Sequence, residues 1–408
     1  MSVALFNLAP LCAGRGRREA PGEGRGTVPV TLRNPHRLES EPLRTDRGMW
    51  PHGLMTTNAL PPAANAEYLT AALRRSGVLG DGCVREVAMV SSFPKLRSLT
   101  RRLHLDYEGK AGDAPDSVIL KMGHLDGAGH PSYANRQEIA FYRDIAPALP
   151  ARLVPNCFEA VEATDSSAWH LLLEDLTDSH FIATEWPLPP TFAQCESIVQ
   201  ALARVHAAWW DDPRLGVSVG SWRDTAAWDR ILRSLVDQFA RFTDRYGEMM
   251  PPERRDLYKR LFDSAPRLLA RYHSRRNLTI IHGDAHTWNF FLPRPDGGEG
   301  VRLLDWEGWT IDAATDDLAY MMAMLWYPDR RHRIERSLLD GYYAALLAHG
   351  VRGYDRKALD DDYRLSVLWL ILRPVGQAAG NIAPRVWWNN LERIMLAVDD
   401  LRCRDLLA

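Results

Sequence analysis

The sequence predicts an α+β protein of two lobes, a small antiparallel β-rich one followed by a larger, mostly helical one. Three observations carry this. Between residues 84 and 173, short runs of β-branched and aromatic residues alternate with turn-rich stretches such as Glu108-Gly109-Lys110-Ala111-Gly112-Asp113. After Leu173 the apolar residues recur at a helical period, with one short β interruption between 278 and 304. The composition, 408 residues of which 46% are hydrophobic and 25% charged, is that of a globular chain long enough for two or three packed units.

Composition also excludes several function classes. A formal charge of -2 leaves no global field to draw the chain onto nucleic acid or an anionic membrane. No run of about 18 apolar residues exists, so no ordinary transmembrane helix is expected and the chain reads as soluble. Cys12, Cys83, Cys157, Cys195 and Cys403 are odd in number, dispersed and never in a C-x-x-C pair, which points to a reducing, cytoplasmic setting without a thiolate zinc site. Residues 1–60 are Arg- and Gly-rich without apolar periodicity, and a disordered extension is expected there. Its apolar start precedes its basic cluster, the reverse of a secretory signal. Met55, just ahead of Pro61-Pro62, is the alternative natural start. The expected division is an extension over 1–60, a β-rich lobe over 61–173 and a helical lobe over 174–408.

The elements follow in order. Residues 63–76 read as a helix with Leu69, Ala72 and Leu73 on one face and Gly77 as its stop. Strands are expected over 84–90, 101–107 and 117–122, as an antiparallel meander, then a helix over 133–145 and strands over 157–162 and 169–173. Thr191-Phe192-Ala193-Gln194 has capping-box form and opens a helix striped by Cys195, Ile198, Val199, Leu202, Val205 and Trp209. Further helices are expected over 228–245, 253–273, 317–327, 333–349, 357–372 and 387–401, with short strands at 278–281, 290–292 and 301–304.

The densest polar cluster interrupts that β segment: Ile280-Ile281-His282-Gly283-Asp284-Ala285-His286-Thr287-Trp288-Asn289-Phe290-Phe291. Apolar pairs on both sides anchor a short loop that carries His282, Asp284, His286 and Asn289. Sixteen residues on, Leu303-Leu304-Asp305-Trp306-Glu307 sets another carboxylate at a strand end. A carboxylate, a carboxamide five residues later and a second carboxylate on the next strand suit phosphoryl transfer, which needs a base for the acceptor hydroxyl and oxygen ligands for Mg²⁺.

These motifs resemble the catalytic loop and metal-binding aspartate of the aminoglycoside phosphotransferase and choline kinase group, whose fold is protein-kinase-like. Leu173-Glu174-Asp175-Leu176, Leu202-Ala203-Arg204-Val205-His206-Ala207 and Asp317-Leu318-Ala319-Tyr320 resemble most closely its ecdysteroid-kinase-like (CHK kinase-like) branch. The resemblance spans about residues 84–327. It implies an ATP- and Mg²⁺-dependent kinase that phosphorylates a small-molecule alcohol, with Asp284 as catalytic base, Asn289 and Asp305 as Mg²⁺ ligands and Lys121 on the α- and β-phosphates. The adenine is then expected at Glu174-Asp175-Leu176, with Glu174 and Leu176 as its contacts.

Lys121 stands in Val118-Ile119-Leu120-Lys121-Met122, where a buried ammonium needs an anionic partner, and Glu138 on the next helix is the candidate. An edge-strand lysine facing water is the alternative. Where the group's nucleotide-covering loop should lie, Ser91-Ser92-Phe93-Pro94-Lys95-Leu96-Arg97-Ser98 has no glycine, so phosphates would be held by serine hydroxyls, backbone N–H groups, Lys95 or Arg97. His282 reads as structural, orienting the loop through a backbone hydrogen bond. His286 could touch the acceptor or the phosphates, or fill the loop. His206 reads as a hydrogen-bonded core residue. A rival reading takes His282, Asp284 and His286 as metal ligands of a hydrolase; another is an inactive nucleotide- or ligand-binding module. The acceptor stays open among antibiotic, choline-like amine, sugar and steroid-like alcohol, with apolar richness over 321–327 and 369–372 leaning toward a bulky, partly apolar alcohol.

Overall fold

In a computed structural model the described residues are 60–94, 98–124, 136–164 and 168–408. Residues 1–59 of the expected amino-terminal extension, residues 133–135 of the expected second helix, and Lys95 and Arg97 lie outside them. The first lobe opens with helix α1 (Ala66–Arg75), capped by the Asn65 side chain accepting from Tyr68 N. A five-stranded sheet follows, made of β1 (Cys83–Pro94), β2 (Ser98–Glu108), β3 (Ser117–Gly123), β4 (Cys157–Val161) and β5 (His170–Glu174). All pairings are antiparallel, in the order β1-β2-β3-β5-β4. The expected meander therefore holds only through β3. The reason is burial: Leu171, Leu172 and Leu173 are all buried, so β5 takes an interior position, whereas β4 is half-buried along its length and sits at the edge.

The period of two sorts this sheet into faces. Val118, Leu120 and Leu172 pack under α1 with Leu69, Leu73, Leu103 and Leu105, forming a core of their own. Ile119, Leu171 and Leu173 face the other way, into the core that continues through the helical lobe. Lys121 shares the parity of Ile119. The strand therefore turns it toward the second lobe.

Helix α2 (Arg136–Ala140), continued by a π-turn over Phe141–Ile145, crosses from β3 to β4 and carries Glu138 to that same face. The second lobe is built on α3 (Phe192–Ala208), whose Thr191–Gln194 capping box forms as expected. Helices α4 (Thr225–Tyr246) and α5 (Pro252–His273) precede strand β7 (Thr279–Ile281), after which the polar loop over 282–289 begins. Strand β6 (His180–Ile182), not expected from the sequence, pairs with β8 (Phe290–Pro293), which pairs with β9 (Arg302–Leu303). A second unexpected strand, β10 (Thr310–Asp312), pairs with β7. Both are three residues long and read as loop in any local window.

The remaining helices are α6 (Thr315–Met322), α7 (Pro328–Ala348), α8 (Arg356–Leu370), α9 (Leu372–Ala379) and α10 (Pro384–Asp400). Expectation had one helix over 357–372. The chain breaks at Ile371 because Pro374 has no N–H and its ring collides with the carbonyl four residues back, that of Leu370. The apolar run over 369–372 is buried in the lobe core, as are Met321, Met322 and Met324, so these side chains report packing and not the acceptor.

Candidate active site

The loop after β7 is shaped by one glycine. Gly283 has φ +75°, a conformation that costs a residue with a Cβ about 1 kcal/mol or more, and this reversal sets Asp284 apart from the strand that precedes it. His282 locks the turn: its Nε2 donates to Leu304 O at 2.7 Å and its Nδ1 accepts from Asp284 N at 3.3 Å. The structural reading of His282 holds. With both ring nitrogens engaged by backbone, His282 cannot join Asp284 and His286 as a metal ligand. Among the described residues no group of three His, Cys, Asp or Glu side chains is placed to hold a metal. The hydrolase reading loses its ligand set.

Asn289 turns its amide nitrogen onto Asp284 O at 3.0 Å, which leaves its side-chain oxygen as the free end of the group. Its own carbonyl accepts from Leu304 N, so the residue after Leu304, Asp305, is held beside the loop. Asp305 has φ +63°, a left-handed conformation that a non-glycine residue keeps only where surrounding contacts enforce it. One such contact is Lys121, whose Nζ lies 2.7 Å from Asp305 Oδ1 and 2.6 Å from a Glu138 oxygen. Burial alone would lower the lysine's pKa. The two carboxylates more than offset it and hold the group above its ordinary value. The structure thus brings Lys121, Glu138, Asp305, Asn289 and Asp284 together from β3, α2 and the loops around β8 and β9. The edge-strand alternative for Lys121 is excluded, since it is buried and paired.

Beneath the loop is a buttress that spacing did not expose. Asp317 on α6 accepts from His282 N at 2.7 Å and from Gly283 N at 2.8 Å, and its Oδ2 meets His206 Nε2 at 3.1 Å. His206 in turn meets the Tyr342 hydroxyl at 2.7 Å. Despite full burial, His206 and the two backbone donors hold the Asp317 carboxyl below the usual carboxylate range. The motifs around His206 and Asp317 therefore converge on one task, fixing the backbone on either side of Gly283.

Asp284 itself is buried and contacted from the helical lobe. Arg373 on α9 donates to Asp284 Oδ1 at 2.7 Å and its guanidinium lies 4.5 Å from the Tyr320 ring. His286 Nε2 is 3.6 Å from the other carboxylate oxygen, and burial lowers the His286 pKa. Sequence reasoning missed Arg373. The available signal was a lone charge in Leu370-Ile371-Leu372-Arg373-Pro374-Val375, as informative as Lys121 in its strand.

At the opposite end, Glu174 closes β5 opposite Val118, and its carboxylate accepts from Asn156 N at 3.0 Å. Leu176 is buried, with its carbonyl accepting from His180 N. Between them, Asp175 is fastened by Arg102, by Ser117 Oγ at 2.7 Å and by Thr177. The connection between the lobes is thus tied to β2 and β3; Glu174 ends the strand beside that of Lys121 and Leu176 follows in the connection, neither among the loop residues. Ser91 and Ser92 continue the β1–β2 ladder opposite Arg102 and Arg101.

Comparison with known proteins agrees with this geometry. Residues 109–358 match the APH family model, the phosphotransferase enzyme family. A search of the curated proteins finds no match. Among solved structures, the "putative aminoglycoside phosphotransferase" of Ralstonia eutropha aligns with a TM-score of 0.53 at 15% identity, over 83% of this chain and 98% of that one. A microcompartment-associated aminopropanol kinase aligns with a TM-score of 0.48 at 15% identity, over 82% of this chain and 95% of that one. The first likeness concerns the fold, a kinase-like α+β architecture of two lobes. With well over half its length matched by the family model, the chain belongs to the APH phosphotransferase enzyme family.

Proposed function

We propose that the protein is an ATP- and Mg²⁺-dependent kinase of the ecdysteroid-kinase-like branch that transfers the γ-phosphate to a hydroxyl of a small molecule in the cytoplasm. The nucleotide lobe is 61–173 and the catalytic and acceptor lobe 174–408. The observation that carries the reading is Lys121, held between Glu138 and Asp305 so that its ammonium lies where the two lobes meet, next to the loop that bears Asn289 and Asp284. Lys121 neutralises phosphate charge, and Glu174 with Leu176 borders the adenine.

The Asp305 carboxylate and the free Asn289 oxygen are hard oxygen donors, and two protein ligands completed by phosphates and water are what Mg²⁺ takes. Bound there, the ion would supply charge neutralisation on the transferring group. Asp284 orients the acceptor hydroxyl and receives its proton as the oxygen bonds to the γ-phosphorus; the bond to the β–γ bridging oxygen breaks and ADP leaves with that electron pair. Arg373 fixes one oxygen of Asp284, which leaves the other for the hydroxyl.

The test is acceptor-dependent ADP formation. Asp284→Asn is expected to lower kcat about a hundredfold or more with little change in Mg·ATP affinity, because the lost interaction forms in the transition state. Unchanged turnover in that variant would remove Asp284 from the chemistry.

A further inference from the structure

We propose that the acceptor is an alcohol bearing an anionic oxygen group, a carboxylate or a phosphate, and that Arg373, Gln377 and Arg393 on α9 and α10 bind it beside Asp284. The inference rests on the phosphotransferase reading and adds the acceptor's chemistry to it.

A ladder of polar side chains runs along α9 and α10. At its outer end Tyr327 is 46% exposed, with the half-buried Arg393 guanidinium 5.4 Å from its ring. Arg393 donates to Asn390 Oδ1 at 2.8 Å, and Asn390 donates to Gln377 Oε1 at 3.0 Å. Gln377 lies one turn beyond Arg373 on α9, and both are only 2% exposed. Arg373 ends the ladder on Asp284.

Apart from the second oxygen of Asp284, what the ladder leaves over is nitrogen. Its named oxygens are engaged: Asn390 Oδ1 by Arg393, Gln377 Oε1 by Asn390, Asp284 Oδ1 by Arg373. In the loop, Trp288 Nε1 and His286 Nδ1 have no partner, and on the ladder itself the buried atoms without a partner are the nitrogens Arg393 Nε, Gln377 Nε2 and Arg373 Nε. A buried donor without a partner is costly, and a ligand that relieves these must present acceptor oxygens.

Charge points the same way. Arg373 is offset by Asp284, whereas among the described residues no carboxylate pairs with Arg393, and burial holds its pKa below the ordinary arginine value. Asp316 also acts on Arg373, but burial and the neighbouring Asp312 and Asp317 push it up to about 7, so it brings only part of a charge at neutral pH. A cationic acceptor would add donors to a place already rich in them and positive charge beside Arg393, which has no counter-charge among the described residues. An anionic alcohol supplies oxygens to the unpartnered nitrogens and a counter-charge to Arg393. Its hydroxyl is then presented to Asp284, and the transfer step is the one given above, with ATP as co-reactant.

The full chain with Mg·ATP is assayed against glycerate and 3-hydroxybutyrate, against glycerol 3-phosphate, and against choline, 1-amino-2-propanol and kanamycin. The expected result is a kcat/KM for a carboxylate or phosphate compound at least a hundredfold above that of every cationic one, and the first two arms separate the two anionic sources. Arg393→Gln is expected to raise the acceptor KM about tenfold while kcat changes less than twofold, with Arg393→Lys recovering part of the loss. Equal or better use of a cationic acceptor, or an unchanged KM in Arg393→Gln, overturns the proposal.

Calorimetric titration of the same anionic compounds without nucleotide decides the matter even if nothing turns over. Saturable binding weakened in Arg393→Gln supports the site, and no saturable heat from any of them overturns it. Failure of Mg·ATP itself to bind would instead sink the phosphotransferase reading, so the two failures are distinguishable.

Discussion

Single residues carry the electrostatics of this site. Lys121 is stable as a buried cation only because two carboxylates from different elements meet it, so its effect and that of Glu138 must be coupled. Lys121→Ala is expected to raise the KM for ATP, and the double variant with Glu138→Ala to be less impaired than the sum by about 1 kcal/mol. Strict additivity in that cycle would show that the pair does not act as a unit. Asp316 offers a pH signature. Its carboxyl titrates near 7 in the folded chain, raised by burial and by Asp312, against an ordinary 3.8. A raised carboxyl pKa means that the folded state holds a proton the unfolded chain has already lost, so stability falls as pH rises from about 4 to 7 and levels off above. The effect of one such group is of the order of a typical single substitution, about 2 kcal/mol. Asp316→Asn should therefore be more stable than the parent by about 2 kcal/mol at pH 8, with the gain shrinking toward pH 4. Denaturant midpoints across that range check it, and a pH-independent difference would refute the assignment.

At the level of elements, the loop after β7 is held from below more than by its own residues. Asp317 on α6 takes two buried backbone N–H groups and the Nε2 of His206. Asp317→Ala is expected to cost about 3–5 kcal/mol of stability, as breaking a buried charged network does, and to lower kcat at least tenfold by loosening Gly283. Urea unfolding and turnover measured together test this, and parent-like values in both would show the buttress to be dispensable. Element existence was legible because period 2 and period 3.6 are properties of the local chain: β1, β2, β3, α3 and α10 stand where the pattern puts them. Strands β6 and β10 were not legible, since each exists only because a partner strand lies beside it. The break between α8 and α9 could have been read from Pro374.

On the scale of the whole molecule, α2 clamps the lobes. Gln137 donates to Trp309 O while the Trp309 indole donates to Gln137 O, and Phe141 stacks on Trp306 with ring centroids 3.9 Å apart. A ligand bound between lobes so joined stabilises the entire chain by mass action. Mg·ATP at a hundred times its Kd should add about 2.7 kcal/mol, seen as a raised Tm. Asp305→Ala should lose most of that gain and its Mg²⁺ dependence, and an equal Tm rise in both proteins would leave Asp305 a structural residue only. The sequence alone determined the two-lobed α+β architecture and marked His282 to Asn289 and Asp305 as the candidate site, because periodicity and close spacing are written in consecutive residues. It also singled out Lys121 and Glu138 as a pair, from the cost of burying an ammonium alone. Only the tertiary structure decided that Asp305 joins that pair, that Asp317 and His206 hold the loop, and that Arg373 sits on Asp284. These contacts span from 34 to 184 positions of chain, and a partner so distant has no local pattern to announce it.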